Sequence, residues 1–212
     1  MKKYELTGEC KVYFGVTLRR IKSLIDFSDV KKGELGGFIE KEENLSHGGD
    51  AWVYGNARVS GNARVYGDAW VYGNARVSGN ARVYDDARVY GNARVYGNAR
   101  VYGNARVYGD ARVSSNARVS GNARVYDDAR VSGDARVSGN ADYVLIGRIG
   151  SRFGFTTFFR NKNNEIYVSC GCFLGTLAKF RKKVKETHGT DTKYAKVYQA
   201  AADLAEMQIL NK

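Results

Sequence analysis

Residues 87–104 read Ala-Arg-Val-Tyr-Gly-Asn three times over, and the same phrase, with few substitutions, is written fifteen times without an insertion between residues 51 and 140. Every sixth residue is Val, from Val53 to Val137, and every Val follows an Ala two positions earlier. Ala and Val at that spacing share one side of an extended segment, while the intervening Arg and the Tyr or Ser after Val point to the other. Gly followed by Asn or Asp then supplies the residue types that turn a chain and tolerate φ > 0. The reading is a short strand and a corner, repeated, with Ala and Val inside.

A second period is three times longer. Trp replaces Arg only at Trp52 and Trp70, eighteen residues apart, and Tyr54, Tyr72, Tyr90, Tyr108 and Tyr126 share that spacing. Sorted by eighteen, the residues after Val form three columns. One is Tyr throughout; one is Ser60, Ser78, Tyr96, Ser114 and Ser132; one is Tyr66, Tyr84, Tyr102, Ser120 and Ser138. Three strands per coil predict a triangular prism of about five regular coils, roughly 24 Å long at about 4.8 Å per coil.

This pattern resembles the hexapeptide-repeat family, whose chains wind into a left-handed parallel β-helix. The left hand is implied by the resemblance, since parallel crossovers are otherwise right-handed. The flanks Leu35-Gly-Gly-Phe-Ile-Glu-Lys-Glu-Glu-Asn-Leu-Ser46 and Cys170-Gly-Cys-Phe173 resemble those of phage and prophage proteins labelled polymer-forming or transferase. The resemblance implies a mainly β fold, a trimer, and a location in the cytoplasm of the host cell.

The chain divides into three parts by composition. Residues 1–50 read as an N-terminal cap and irregular first coils. Strand-like runs fall at Lys2–Thr7 and Thr17–Ile25, and Ile39 and Leu45 stand at coil positions before a two-residue insertion at 47–49. Residues 51–142 are the repeat β-helix. Residues 143–212 read as a small α+β cap, in which coil register continues through Tyr143 and Ile149. A hairpin turns at Asn161-Lys-Asn-Asn164, and Thr176 N-caps a helix to His188 with Leu177, Phe180 and Val184 inward and Gly189 as its stop. A second helix is expected over Tyr194–Ile209, with Val197, Tyr198, Ala201, Leu204 and Leu210 as its apolar stripe.

Chemistry is scarce. Three cysteines, Cys10, Cys170 and Cys172, have no framework spacing, which with the lack of a leader or long apolar run leads to the expectation of a reduced, soluble protein and no membrane. Hexapeptide acyltransferases use a His on the coils as general base, yet the fifteen hexads contain no His, Glu, Cys or Lys. His47 and His188 are the chain's only histidines, one before the regular coils and one at a helix end. Asp85-Asp86 and Asp127-Asp128 occupy turn positions. No catalytic residue, cofactor or metal site is therefore expected.

The surface remains. The chain carries a formal +12, and the hexads hold thirteen Arg against seven Asp. Arg58, Arg76, Arg94, Arg112 and Arg130 fall in one column and Arg64, Arg82 and Arg100 in another, and neighbours at about 4.8 Å repel by ~1 kcal/mol even in water-like dielectric. One account is internal: Tyr rings stack, Arg lies over them and corner Asp neutralises the charge. The other is that basic columns interleaved with aromatics bind an acidic protein surface, a nucleotide or single-stranded nucleic acid. A duplex is disfavoured, because its step of about 3.4 Å per nucleotide does not match the ladder. Trp52, Trp70, Tyr54, Tyr72, Tyr90, Tyr108 and Tyr126 would form an apolar strip that another copy of the chain covers. The expected function is a non-enzymatic phage or prophage protein that binds and inhibits or sequesters a host factor. The alternatives are a self-assembling structural module and a divergent acyltransferase.

Overall fold

In the computed structural model, which describes residues 1–210, each hexad contributes one two-residue strand. Strands β4 to β18 run in order from Trp52–Val53 to Arg136–Val137. Each pairs in parallel with its copy eighteen residues away, Val on Val and Arg on Arg, as in Arg94↔Arg112 and Val95↔Val113. Three parallel ladders result, one per face, around a continuous core in which every Val and Ala of the hexads is buried. The second ladder is longest, with strand β3 (Leu35–Ile39) and the middle strands of the five regular coils giving six levels. The chain is thus a mainly β solenoid with a small sheet and two helices at its C-terminal end.

The irregular first coil is present with the expected insertion. Ile39 pairs with Val59, and Leu45 bridges Val65, each at twenty residues and not eighteen. Buried Asn44 closes that coil, donating from its amide to the carbonyls of Gly61 (3.0 Å) and Ala63 (2.8 Å). Before it, strands β1 (Tyr4–Tyr13) and β2 (Val16–Ser23) form an antiparallel hairpin, and β2 pairs with β3. The first strand runs six residues beyond the predicted end at Thr7, to a tight turn in which Phe14 (φ 50°) and Gly15 (φ 79°) both have positive φ.

The two ends of the solenoid need opposite chemistry. In this ladder an N–H donates to the carbonyl of the next coil, as in Arg58 N–H to Ala75 O at 2.9 Å. The first coil is therefore left with spare carbonyls and the last with spare N–H groups, each of which must find a partner. At the first coil a cation answers: the Lys3 ammonium, 1% exposed, donates to the carbonyls of Gly49 (2.9 Å) and Ala51 (2.7 Å) and lies 4.8 Å from the Phe27 ring. At the last coil side-chain oxygens answer. Asn140 Oδ1 accepts from Arg124 N–H, Thr157 Oγ1 from Arg130 N–H, and Asp142 Oδ2 from the N–H groups of Ser138 and Gly139.

Coil register ends at Tyr143, whose ring enters the solenoid core in the place of the next Val. The expectation for Ile149 is corrected. Strand β19 (Tyr143–Ile149) carries it out into an antiparallel sheet with β20 (Gly154–Arg160), β21 (Ile166–Cys170) and β22 (Phe173–Thr176). The hairpin at 161–164 and the helix α1 (Leu177–His188) stand as read, with Thr176 Oγ1 accepting from Lys179 N–H and Gly189 ending the helix at φ 74°. Helix α2 (Lys193–Leu210) buries Ala195, Ala201, Ala202, Ala205 and Ile209. The predicted stripe is therefore rotated: Leu204 and Leu210 are exposed, because small alanines let the helix approach the sheet and α1 closely. Positions 211 and 212 lie outside the described residues.

Burial lowers the Lys3 pKa from 10.5 to about 8, against the pull of Asp50 and Asp68. A base with a lower pKa in the fold is protonated more in the unfolded chain between those two values, so stability rises with pH across that window. Above pH 10 Tyr4 and Tyr143 act in the opposite sense, since burial raises both. Urea unfolding should show a gain on the order of 2 kcal/mol from pH 8 to 9.5, flattened in Lys3→Met. An equal gain in the variant would remove Lys3 as its source.

Candidate anion-binding face

Parallel register leaves no freedom in where an arginine stands: Arg58, Arg76, Arg94, Arg112 and Arg130 form one unbroken row on the second face. Their neighbours after Val are small at Ser60, Ser78, Ser114 and Ser132, so this face is recessed where the others carry rings. A cavity of about 410 Å³ lies in the recess, with Arg58, Arg76, Arg94 and Arg112 on its wall. Hairpin residues Tyr13 and Phe14 border it on one side, and Tyr96 also lines it. Arg130 stands at the far end, its guanidinium 3.4 Å from the carbonyl of Gly171 in the C-terminal sheet.

Arg64, Arg82 and Arg100 form a separate row on the third face, beside the stacked rings of Tyr66, Tyr84 and Tyr102. The two rows do not converge. Arg64 and Arg82 instead line a second cavity of about 680 Å³ together with Glu42, Glu43 and His47, where acidic groups oppose the basic ones.

Among the described residues arginine forms ion pairs at Arg20–Glu9, Arg160–Asp142 and Arg181 with Asp203 and Glu206, all outside the hexads. Among the described residues the thirteen hexad arginines have no carboxylate within ion-pair distance. Arg58 alone lies over a ring, that of Tyr13 at 3.4 Å, and burial together with neighbouring Arg76 lowers its pKa. Three of the seven corner carboxylates are engaged elsewhere: Asp68 accepts from Asp50 N–H (2.9 Å), Asp85 accepts from Gly103 N–H (3.2 Å), and Asp134 pairs with Lys162 (3.0 Å). Asp85 and Asp127 have φ of 56° and 52° in places that Gly otherwise fills, so they are turn residues. Asparagines at one corner link in a chain from Asn62 through Asn80, Asn98 and Asn116 to Asp134, each amide 3.1–3.3 Å from the next oxygen.

The aromatic strip is changed at one end. Trp52 is fully buried, packed edge-on against Phe27 (5.3 Å) and Tyr4 (6.3 Å), and Trp70 is half-buried against the same core. Trp52 therefore serves the chain's own N-terminal module and is closed to a second copy. From Tyr72 through Tyr90 and Tyr108 to Tyr126 the rings stack at 4.8–5.4 Å, while Tyr54 is exposed.

The histidines have little room for acid–base work. His47 stacks on Tyr4 at 4.3 Å, its Nδ1 accepts from Lys3 N–H (3.2 Å), and its Nε2 is closed to solvent 3.6 Å from the Glu42 carboxylate. His188 packs against Tyr198 and Tyr194 on the C-terminal unit. Cys10, Cys170 and Cys172 are free thiols, and no described helix is long and apolar enough to cross a membrane. Tyr13 and Phe14 escaped the sequence reading because their only signal is an aromatic–glycine pair at a turn.

Comparison with known proteins agrees with the repeat reading. The family described as YdcK Beta solenoid repeat matches overlapping stretches that together run over residues 51–141. A protein named uncharacterized acetyltransferase YdcK, from Escherichia coli (strain K12), is 35% identical over 82 residues, 32% of this chain and 25% of its own length. The chain thus spans about a quarter of that relative.

Proposed function

Because the repeat array is a hexapeptide-type β-solenoid, in which exposed side chains stand in fixed columns, we propose that the chain is a non-enzymatic binding protein whose second face takes an anionic partner. The observation that carries this is that, among the described residues, no carboxylate lies within ion-pair distance of the thirteen hexad arginines, Asp134 acting on Arg136 only from farther away. Rows of like charge at ladder spacing are unfavourable alone and favourable once an anion bridges them. The flank likeness to phage and prophage proteins favours a host factor as the partner, its acidic surface bound and its action inhibited. Acyl transfer, suggested by the relative's name, has weaker support, since both ring nitrogens of His47 are already engaged or shut from solvent.

Heparin serves as a generic polyanion probe. Wild-type affinity should fall at least about tenfold between roughly 50 and 200 mM salt, since each neutralised charge releases counterions. Replacing Arg94, Arg112 and Arg130 together by Gln should weaken binding more than the charge-matched triple at Arg88, Arg106 and Arg124, with no loss of melting temperature. A second-face triple that melts much earlier yet binds as well as the parent would make the row structural.

Self-association belongs to the same proposal. The stacked Tyr72–Tyr126 edge is the surface on which copies would meet, with a trimer as the state that the hexapeptide resemblance favours. Substituting Ser at Tyr90 and Tyr108, a residue the other columns accept, should leave the fold intact and reduce the mass in solution to one chain. An unchanged mass would place any interface elsewhere.

A further inference from the structure

The recess on the second face has aromatic groups at its borders and an interrupted ring column. On the neighbouring faces the ladder holds tyrosines stacked and nearly parallel, with interplanar angles of 1–2° and centroids 4.8–5.0 Å apart from Tyr66 to Tyr102 and from Tyr72 to Tyr108. The second column has a ring at Tyr96 and serine at Ser60 and Ser78 on the two coils before it. The cavity opens at that interruption. Phe14 on its rim is fully exposed and held at positive φ, a place where an apolar side chain gains nothing from its own fold.

Charge completes the site. Tyr13 already lies against Arg58, which leaves Arg76, Arg94 and Arg112 on the wall, with no described carboxylate within ion-pair distance. Flat-ring capacity and a run of guanidinium groups within one cavity suit a ligand that has both an aromatic base and several negative oxygens. The volume of about 410 Å³ lies in the range of small-molecule pockets.

We propose that this cavity binds a free nucleotide bearing two or more phosphates. Its base lies on the serine ledge at Ser60 and Ser78 between Tyr96 and Phe14, filling the gap in the ring column. Its phosphates lie along Arg76, Arg94 and Arg112. This deepens the anion-binding reading of the same face and rests on it.

Calorimetry on the whole chain, with ATP, inorganic triphosphate and adenosine as probes and heparin binding in parallel, tests the assignment. ATP should bind one per chain, at least about tenfold tighter than triphosphate, because base stacking adds to the charge contacts. Adenosine alone should bind weaker still. Ser78→Tyr places in the gap the residue that the other columns carry and keeps every arginine. It should bring ATP affinity down to that of triphosphate while heparin binding and melting temperature stay unchanged. Phe14→Ser should lower ATP affinity and leave triphosphate affinity as it was. ATP binding no tighter than triphosphate, or a Ser78→Tyr protein that binds ATP like the parent, would overturn the nucleotide site. If heparin still binds in that case, the basic face stands without it; if neither ATP nor heparin binds, both readings fall together.

Discussion

Everything in this molecule depends on the parallel ladder that sets each residue on its own copy eighteen positions away. Hydrogen bonds of 2.8–3.1 Å between successive coils fix that register. Inside, the consequence is favourable, since Val meets Val and Ala meets Ala in a core without gaps in sequence. At the corners it is selective. A Cβ on Gly67 would come within 2.8 Å of the Asp85 backbone N and one on Gly79 within 3.0 Å of the Gly97 backbone N, so these corners leave little room for a side chain. The non-glycine corners Asp85, Ser115 and Asp127 each have glycine one coil earlier, at Gly67, Gly97 and Gly109. Outside, the same register makes stacks of Tyr, a chain of Asn amides, and rows of Arg that repel.

Closing such a ladder calls for donors at one end and acceptors at the other. Lys3 supplies the donors and Asn140, Thr157 and Asp142 the acceptors, so the terminal modules satisfy the backbone that an open solenoid would expose. The hairpin that carries Lys3 also brings Tyr13 and Phe14 to the edge of the basic recess. Capping and site construction are therefore linked through one element, β1–β2. Burial of Trp52 follows from the same packing and takes it out of the exposed strip.

Where spacing alone determines position, the sequence could be read directly: the three columns, the two-residue insertion before Val53, and α1 between Thr176 and Gly189. Readings failed where a third body decides. Leu204 and Leu210 lie at helical spacing with the buried face, yet alanines turn inward because the sheet and α1 leave room only for a small side chain. Trp52 sits at an outward position of its hexad, and only the folded N-terminal module covers it. The arginine rows were legible as columns. That no described carboxylate reaches them was not, since side-chain direction decides it: Asp68 and Asp85 turn to backbone N–H groups and Asp134 to Lys162.

The ladder holds the hexad arginines in register, and on the reading proposed above anions relieve their repulsion. Melting the protein in pyrophosphate and in sodium chloride at equal ionic strength tests this most directly. A clearly higher midpoint is expected in pyrophosphate, because a multivalent anion bridges neighbouring guanidinium groups while chloride only screens them. Midpoints that coincide at every ionic strength would contradict it.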